Sequence, residues 1–225
     1  MSYIRLQDVS VRFDDYTLYS NLDLVIRRGE KVMISGETGS GVSVLLRLLS
    51  GLQEPTGGTI YFEDEPFVYE IDRPYFKQRK GISYFMEELQ PIANLSVFDN
   101  LALYYRLNTD YKEKVIKEIV SEKLFMSGLE SKQLFRPARL TNDERVFLCA
   151  VMNYKENSET FIVDEVLYNL KKDMIARIEK TIIQRMIAPQ CTVIMRDIDS
   201  EAIQFPCKRR IQLSKGTIVK DEVIS

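Results

Sequence analysis

At 225 residues, with 45% apolar and 28% charged side chains, the chain has material for one substantial core, or a core with an inserted subdomain, in the ordinary globular range. A formal net charge of −2 and a pI of about 5.5 exclude a nucleic-acid footprint spread over the whole molecule. The sequence contains no histidine, which removes histidine general bases, histidine metal ligands and any Ser/His/Asp triad and leaves carboxylates, lysine, tyrosine, cysteine and backbone dipoles.

In chain order, the start MSYIRLQDVSVRF lacks a cationic stretch followed by an apolar one, so no signal peptide is expected. Residues 3 to 35 alternate as strands do: YIRLQDVSVRF, LYSNLDLVI, then EKVMIS after the Arg28-Gly29 turn. SVLLRLLSGL predicts a helix that is apolar on most sides and closes at Gly51. QEPTGGTIYFEDEPF reads as turn, strand and turn, punctuated by Pro55 and Gly57-Gly58. GISYFM predicts a strand leading into a loop, LSVFDNLALYYRL begins a helix, and Leu124–Leu129 and RPARL continue a mostly helical middle. ETFIVDEVL predicts a buried strand ending in two acids, QCTVIMRDID another strand, and RRIQLSKGTIVK a terminal hairpin with a Lys-Gly turn. No apolar run approaches about 18 residues, so no membrane span is expected. Cys149, Cys191 and Cys207 are odd in number and widely spaced, and read as reduced residues, not as a disulfide framework or a zinc site. No internal repeat or low-complexity stretch is present. Strands alternating with helices at both ends of a helical middle predict one α/β core with an inserted helical subdomain.

The stretch VMISGETGSGVSVLLRLLSGL has the spacing of a phosphate-binding loop, G-x-x-x-x-G-K-[ST], with Gly36, Gly41 and Ser43 in place. The lysine position holds Val42. Four further segments accompany the loop. GISYFMEELQPIANLSVFDNLAL stands ahead of the helical middle, RLTNDERVFL follows it, TFIVDE supplies the acids Asp164 and Glu165, and TVIMRDID with RRIQLSKGTIVKDE closes the chain. From Leu140 to Asp164 is 24 residues, with no gap needed.

On these segments the chain resembles the ATP-binding subunit of an ABC transporter over essentially residues 3–222. In NLSVFDNLAL and in its short length it resembles stand-alone bacterial cassettes of the lipid-transport and cell-division type. The resemblance implies a P-loop NTPase (RecA-like) core, 1–86 and 159–225, with an N-terminal antiparallel β-subdomain and an inserted helical subdomain, 87–158. It implies Phe13 as the residue that stacks on adenine, and Gly36, Thr38, Gly39, Ser40, Gly41, Val42, Ser43 and Val44 as the nucleotide loop. Ser43 and Asp164 would serve Mg²⁺, and Glu165 would be the base that polarises water. The bland alternative for the acid pair is that it caps the turn after a buried strand.

The resemblance also marks departures. Val42 cannot supply the ammonium that neutralises the β- and γ-phosphates, a charge-assisted bond of roughly 1.5–3 kcal/mol; Arg47, one helical turn on, is the nearest candidate replacement. The signature L-S-G-G-Q becomes Leu140, Thr141, Asn142, Asp143, Glu144, in which T-x-x-E reads as a capping box. The Q-loop glutamine becomes Glu87, the switch histidine Ile198 and the D-loop aspartate Lys171.

Three readings follow. One is an active ATPase using Asp164, Glu165 and the loop backbone. The second is a degenerate cassette with ATP and Mg²⁺ bound weakly or not at all. Its expected partners are a second cassette (a conventional one favoured over a homodimer) and a membrane permease, with no nucleic acid, at the cytoplasmic face of the cell membrane. The third, a small-molecule kinase, is opposed by the adjacent acids and the gapless spacing. The sequence favours the degenerate cassette.

Overall fold

In the computed structural model, residues 2–67, 69, 81–86, 90–165, 171–197 and 205–224 are described. They form two compact units: 1–84 with 157–164 and 186–225, and 85–156 with 165–185.

The first unit contains two sheets among the described residues. β1 (Ser2–Phe13) and β2 (Tyr16–Arg27) form a long antiparallel hairpin, extended by β4 (Gly57–Phe62) and β5 (Glu65–Pro66) in the order β2-β1-β4-β5. On β1 the inward residues are Ile4, Leu6, Val9 and Val11. The three-residue step from Leu6 to Val9 breaks the period of two, and the pairing register shifts there, with Asp8 at φ 52°. That bulge keeps one face apolar along the whole strand.

The second sheet holds β3 (Lys31–Gly36), β6 (Ile82–Phe85), β7 (Thr160–Val163), β8 (Thr192–Arg196), β9 (Arg209–Ser214) and β10 (Thr217–Val223), in the order β10-β9-β3-β8-β7-β6. Neighbours from β9 through β3 and β8 to β7 run parallel. β6 and β7 are buried along their full length, as strands of a sheet covered on both faces should be. β10 returns antiparallel to β9 through Lys215 and Gly216, both at positive φ (48° and 72°), the geometry of a tight hairpin turn. The register pairs Ile34 of β3 with Arg196 of β8, and Val163 of β7 with Met195, so Gly36, Arg196 and Asp164 reach the same carboxyl edge. That edge is where ligands bind in open α/β sheets.

α1 (Val42–Leu49) leaves β3 through the glycine loop and buries Val42, Leu45, Leu46, Leu48 and Leu49. It ends as a Schellman motif, with the N–H of Gly51 on Leu48 O (2.9 Å) and that of Leu52 on Arg47 O (2.8 Å). Gly51 takes φ 66° there, and a Cβ would run into the Phe67 ring.

The second unit is helical. It comprises α2 (Val97–Asn108), α3 (Glu113–Ser127), short 3₁₀ turns at Glu130–Lys132 and Pro137–Arg139, α4 (Asn142–Asn153), α5 (Lys172–Ile178) and a π-helical stretch, Glu179–Ile183, that leads into α6 (Gln184–Ile187). Ser96 caps α2 by accepting the Asp99 N–H, and α3 stops at Gly128 in the left-handed region. Among the described residues, no helix is long and apolar enough to cross a membrane.

Candidate functional site

The glycine loop is held from outside by two elements that its own sequence does not reveal. Tyr19 of β2 is fully buried, and its hydroxyl donates to the Gly41 carbonyl oxygen at 2.6 Å. The N–H of Gly216, in the β9–β10 turn, donates to Ser40 O at 3.2 Å. Gly41 sits at φ 103°, and a Cβ there would come within 2.5 Å of the Tyr19 hydroxyl, so only glycine fits. Burial drives the Tyr19 pKa far above the ordinary tyrosine value, so the phenol stays a donor.

Inside the loop the geometry suits an anion. Gly41 is the N-cap of α1 and supplies no side-chain cap, which leaves the first N–H groups of the helix without a carbonyl of their own helix. Ser40 is buried, its Oγ has no hydrogen-bond partner, and that oxygen lies over Gly36, where a Cβ would collide with it. Open N–H groups, a helix N-terminus and an orphaned buried hydroxyl together fit a phosphate. Ser43 is half-buried one residue into the helix, and Thr38 and Gly39 are exposed on the loop.

Val42 is 1% exposed. Its branched side chain is part of the core. Arg47 Nε donates to Gln53 Oε1 at 3.3 Å, beyond the far end of α1.

At the end of β7, Asp164 is 7% exposed and accepts from Arg196 Nη1 at 3.2 Å. Glu165 follows it and is exposed. Phe13 is 46% exposed at the tip of the β1–β2 hairpin, opposite Tyr16 at 54%. Both are exposed at one turn of the sheet, and Tyr16 is an aromatic the motif reading passed over.

In the helical unit, α4 caps itself. Thr141 Oγ1 accepts the Glu144 N–H (3.3 Å), and Glu144 Oε2 accepts the Thr141 N–H (3.0 Å), the reciprocal box that the T-x-x-E spacing predicts. Glu144 also meets Lys132 Nζ at 2.6 Å, and that bond first, then the Thr141 N–H, holds its carboxyl below the usual range. Asp143 in the same turn pairs with Lys171 Nζ at 2.5 Å. Asn142 is tied to Arg145 at 2.8 Å. Glu87, Ile198 and residues 166–170 lie outside the described residues.

The ABC transporter family matches this chain over residues 19–168. The chain belongs to the ABC transporter family. The methionine import ATP-binding protein MetN 1 of Pectobacterium atrosepticum is 26% identical over 97% of this chain and 65% of its own length. MetN of Helicobacter hepaticus is 24% identical, over 62% of its length, so the chain spans under two thirds of these first curated relatives. The cell division ATP-binding protein FtsE of Bacillus subtilis is 26% identical over 90% of this chain and 88% of its own. Among solved structures, the ATP-binding cassette MJ0796 in a post-hydrolysis state bound to ADP and Pi superposes with a TM-score of 0.84 at 21% identity, covering 99% of both chains. The fold is therefore that of a cassette: a P-loop NTPase core with an antiparallel β-subdomain and helical parts.

Besides Tyr16, Arg196 and Tyr19 escaped the motif reading. Arg196 ends an otherwise apolar strand, TVIMR, and a charge at that edge of a buried sheet was the available signal. Tyr19 had none, because a buried tyrosine in an alternating strand looks like any other core residue.

Proposed function

We propose that this cassette is a pseudo-ATPase. It serves as a structural and regulatory partner of a second cassette and of a membrane permease, at the cytoplasmic face of the cell membrane. ATP binds weakly or not at all and is hydrolysed negligibly. The observation that carries the reading is the start of α4, where the two glycine positions hold Asn142 and Asp143. In the cassettes this chain resembles, two glycines there let backbone N–H groups and a serine approach the γ-phosphate held by the opposite subunit. Here side chains fill that approach: Asn142, tied to Arg145, and Asp143, paired with Lys171, stand at the two glycine positions, while the box at Thr141 and Glu144 satisfies two of the first N–H groups of the helix.

The remaining substitutions support the same reading. Val42 leaves the loop without its ammonium. Glu87 replaces an amide that orients water, and Ile198 has no polar atom to sense the γ-phosphate. Cassettes act as head-to-tail pairs with two shared sites. With a conventional partner, one site joins this chain's loop to an intact signature, and the other joins an intact loop to Thr141-Asn142-Asp143-Glu144. Weak turnover at the partner's loop is then the most the pair sustains, and a homodimer sustains none.

Isolation of the native complex, with identification of its subunits, tests the assignment. A second cassette carrying the loop lysine, together with a permease, is the expected outcome. Recovery of this chain alone, as a homodimer with rapid ATP turnover, would overturn it.

A further inference from the structure

We propose that the guanidinium of Arg196 takes the place of the divalent cation at Asp164, so that any nucleotide in the loop is held without Mg²⁺. The inference rests on the weak-nucleotide reading above and concerns how the same site is neutralised.

The resemblance implies that the acid at the end of β7 would serve Mg²⁺. Here Arg196 Nη1 lies 3.2 Å from Asp164 Oδ1, with the two side chains only 20% and 10% exposed. An ion pair this enclosed is screened far less than a surface pair. The arginine comes from β8, the strand between β3 and β7, and its register partner is Ile34, two residues before Gly36. The backbone fixes that placement, since the N–H of the next residue, Asp197, donates to Ile34 O at 2.8 Å. The neighbouring cation, Arg210, is engaged elsewhere, with its Nε on Asp197 Oδ2 at 3.0 Å.

A permanent positive charge therefore stands at the carboxyl edge between the phosphate loop and the acid. It occupies one oxygen of that acid and repels a second cation brought to the same place. The phosphate cradle fits an anion, whereas the acid beside it does not fit a divalent metal.

Equilibrium binding of ATP to the full chain, compared in excess Mg²⁺ and in EDTA, tests this without any variant. Equal affinity in the two conditions is expected. Arg196→Met should make binding metal-dependent, with affinity in EDTA falling about tenfold or more below that in Mg²⁺, the worth of one charge-assisted contact. Binding by the unmutated chain only when Mg²⁺ is present overturns the proposal and leaves the pseudo-ATPase reading standing. No retained ATP in either condition also overturns it, since no nucleotide is then held. Mg²⁺-dependent turnover at an ordinary cassette rate removes both.

Discussion

The ammonium of Lys171 lies 2.5 Å from the carboxylate of Asp143, joining the residue that precedes α5 to the first turn of α4. The hydrogen bond to Asp143, and then its charge, raise the lysine's pKa above the ordinary value. These are two of the positions at which the chain departs from the pattern it resembles, an aspartate exchanged for lysine and a glycine for aspartate. Together the changes compensate in charge. Both side chains remain accessible, at 64% and 35% exposure, so the pair neutralises a surface more than it holds the fold. Lys171→Met is expected to leave the melting temperature nearly unchanged at moderate salt. A large drop in a thermal melt would show that the pair anchors α5 to α4.

Lys123 behaves differently. It is 1% exposed, and its ammonium donates to the carbonyls of Val151 (3.0 Å) and Tyr154 and faces Glu156 at 3.4 Å. Burial pushes its pKa down, with Glu156 opposing. Lys123→Ala removes the donor and leaves two carbonyls and a carboxylate facing a void, at an expected cost of about 3–5 kcal/mol. Lys123→Met, which refills the space, should cost less. Urea unfolding of the two variants checks the order.

The glycine loop gives a third prediction. Tyr19→Phe removes one buried hydrogen bond to Gly41 and should cost about 1 kcal/mol. Gly41→Ala should cost more, because it combines a strained φ of 103° with a collision against the Tyr19 ring. Unfolding midpoints at constant m-value read both.

How much of this was legible in the sequence depends on the range of the interaction. The capping box at Thr141 and Glu144, the Lys215-Gly216 turn and the close of α1 at Gly51 were legible because each is settled within a few residues. The α/β order was legible from periodicity. The partners of Lys171, Arg196 and Tyr19 were not, since 28, 32 and 22 residues separate the members of those pairs and only the fold brings them together. Val42 was legible as a missing lysine, but its burial in the core was not, since spacing carries no information about which way a side chain packs.

Acid should loosen the start of α4. Lys132 and the Thr141 N–H lower the Glu144 pKa from its ordinary value of 4.5. The folded state therefore holds the ionised form more tightly than the unfolded chain does. That stabilisation is fully present above 4.5 and is lost as pH falls through the lower folded value. Glu144→Gln should flatten this acid limb in a pH series of thermal melts, whereas an unchanged limb would assign it to other carboxylates.

Restoring the lysine is not expected to restore chemistry. Val42→Lys places an ammonium where a buried valine now fills the core, and it leaves Ile198 and the capped start of α4 as they are. Its ATP turnover should stay at background, and a full rescue would show that the loop alone limits the unmutated chain.

Steady-state ATP hydrolysis by the full chain in Mg²⁺, measured beside Glu165→Gln, tests the pseudo-ATPase reading most directly. The reading predicts background turnover from both proteins. Turnover at the rate of an ordinary cassette, abolished by Glu165→Gln, would contradict it.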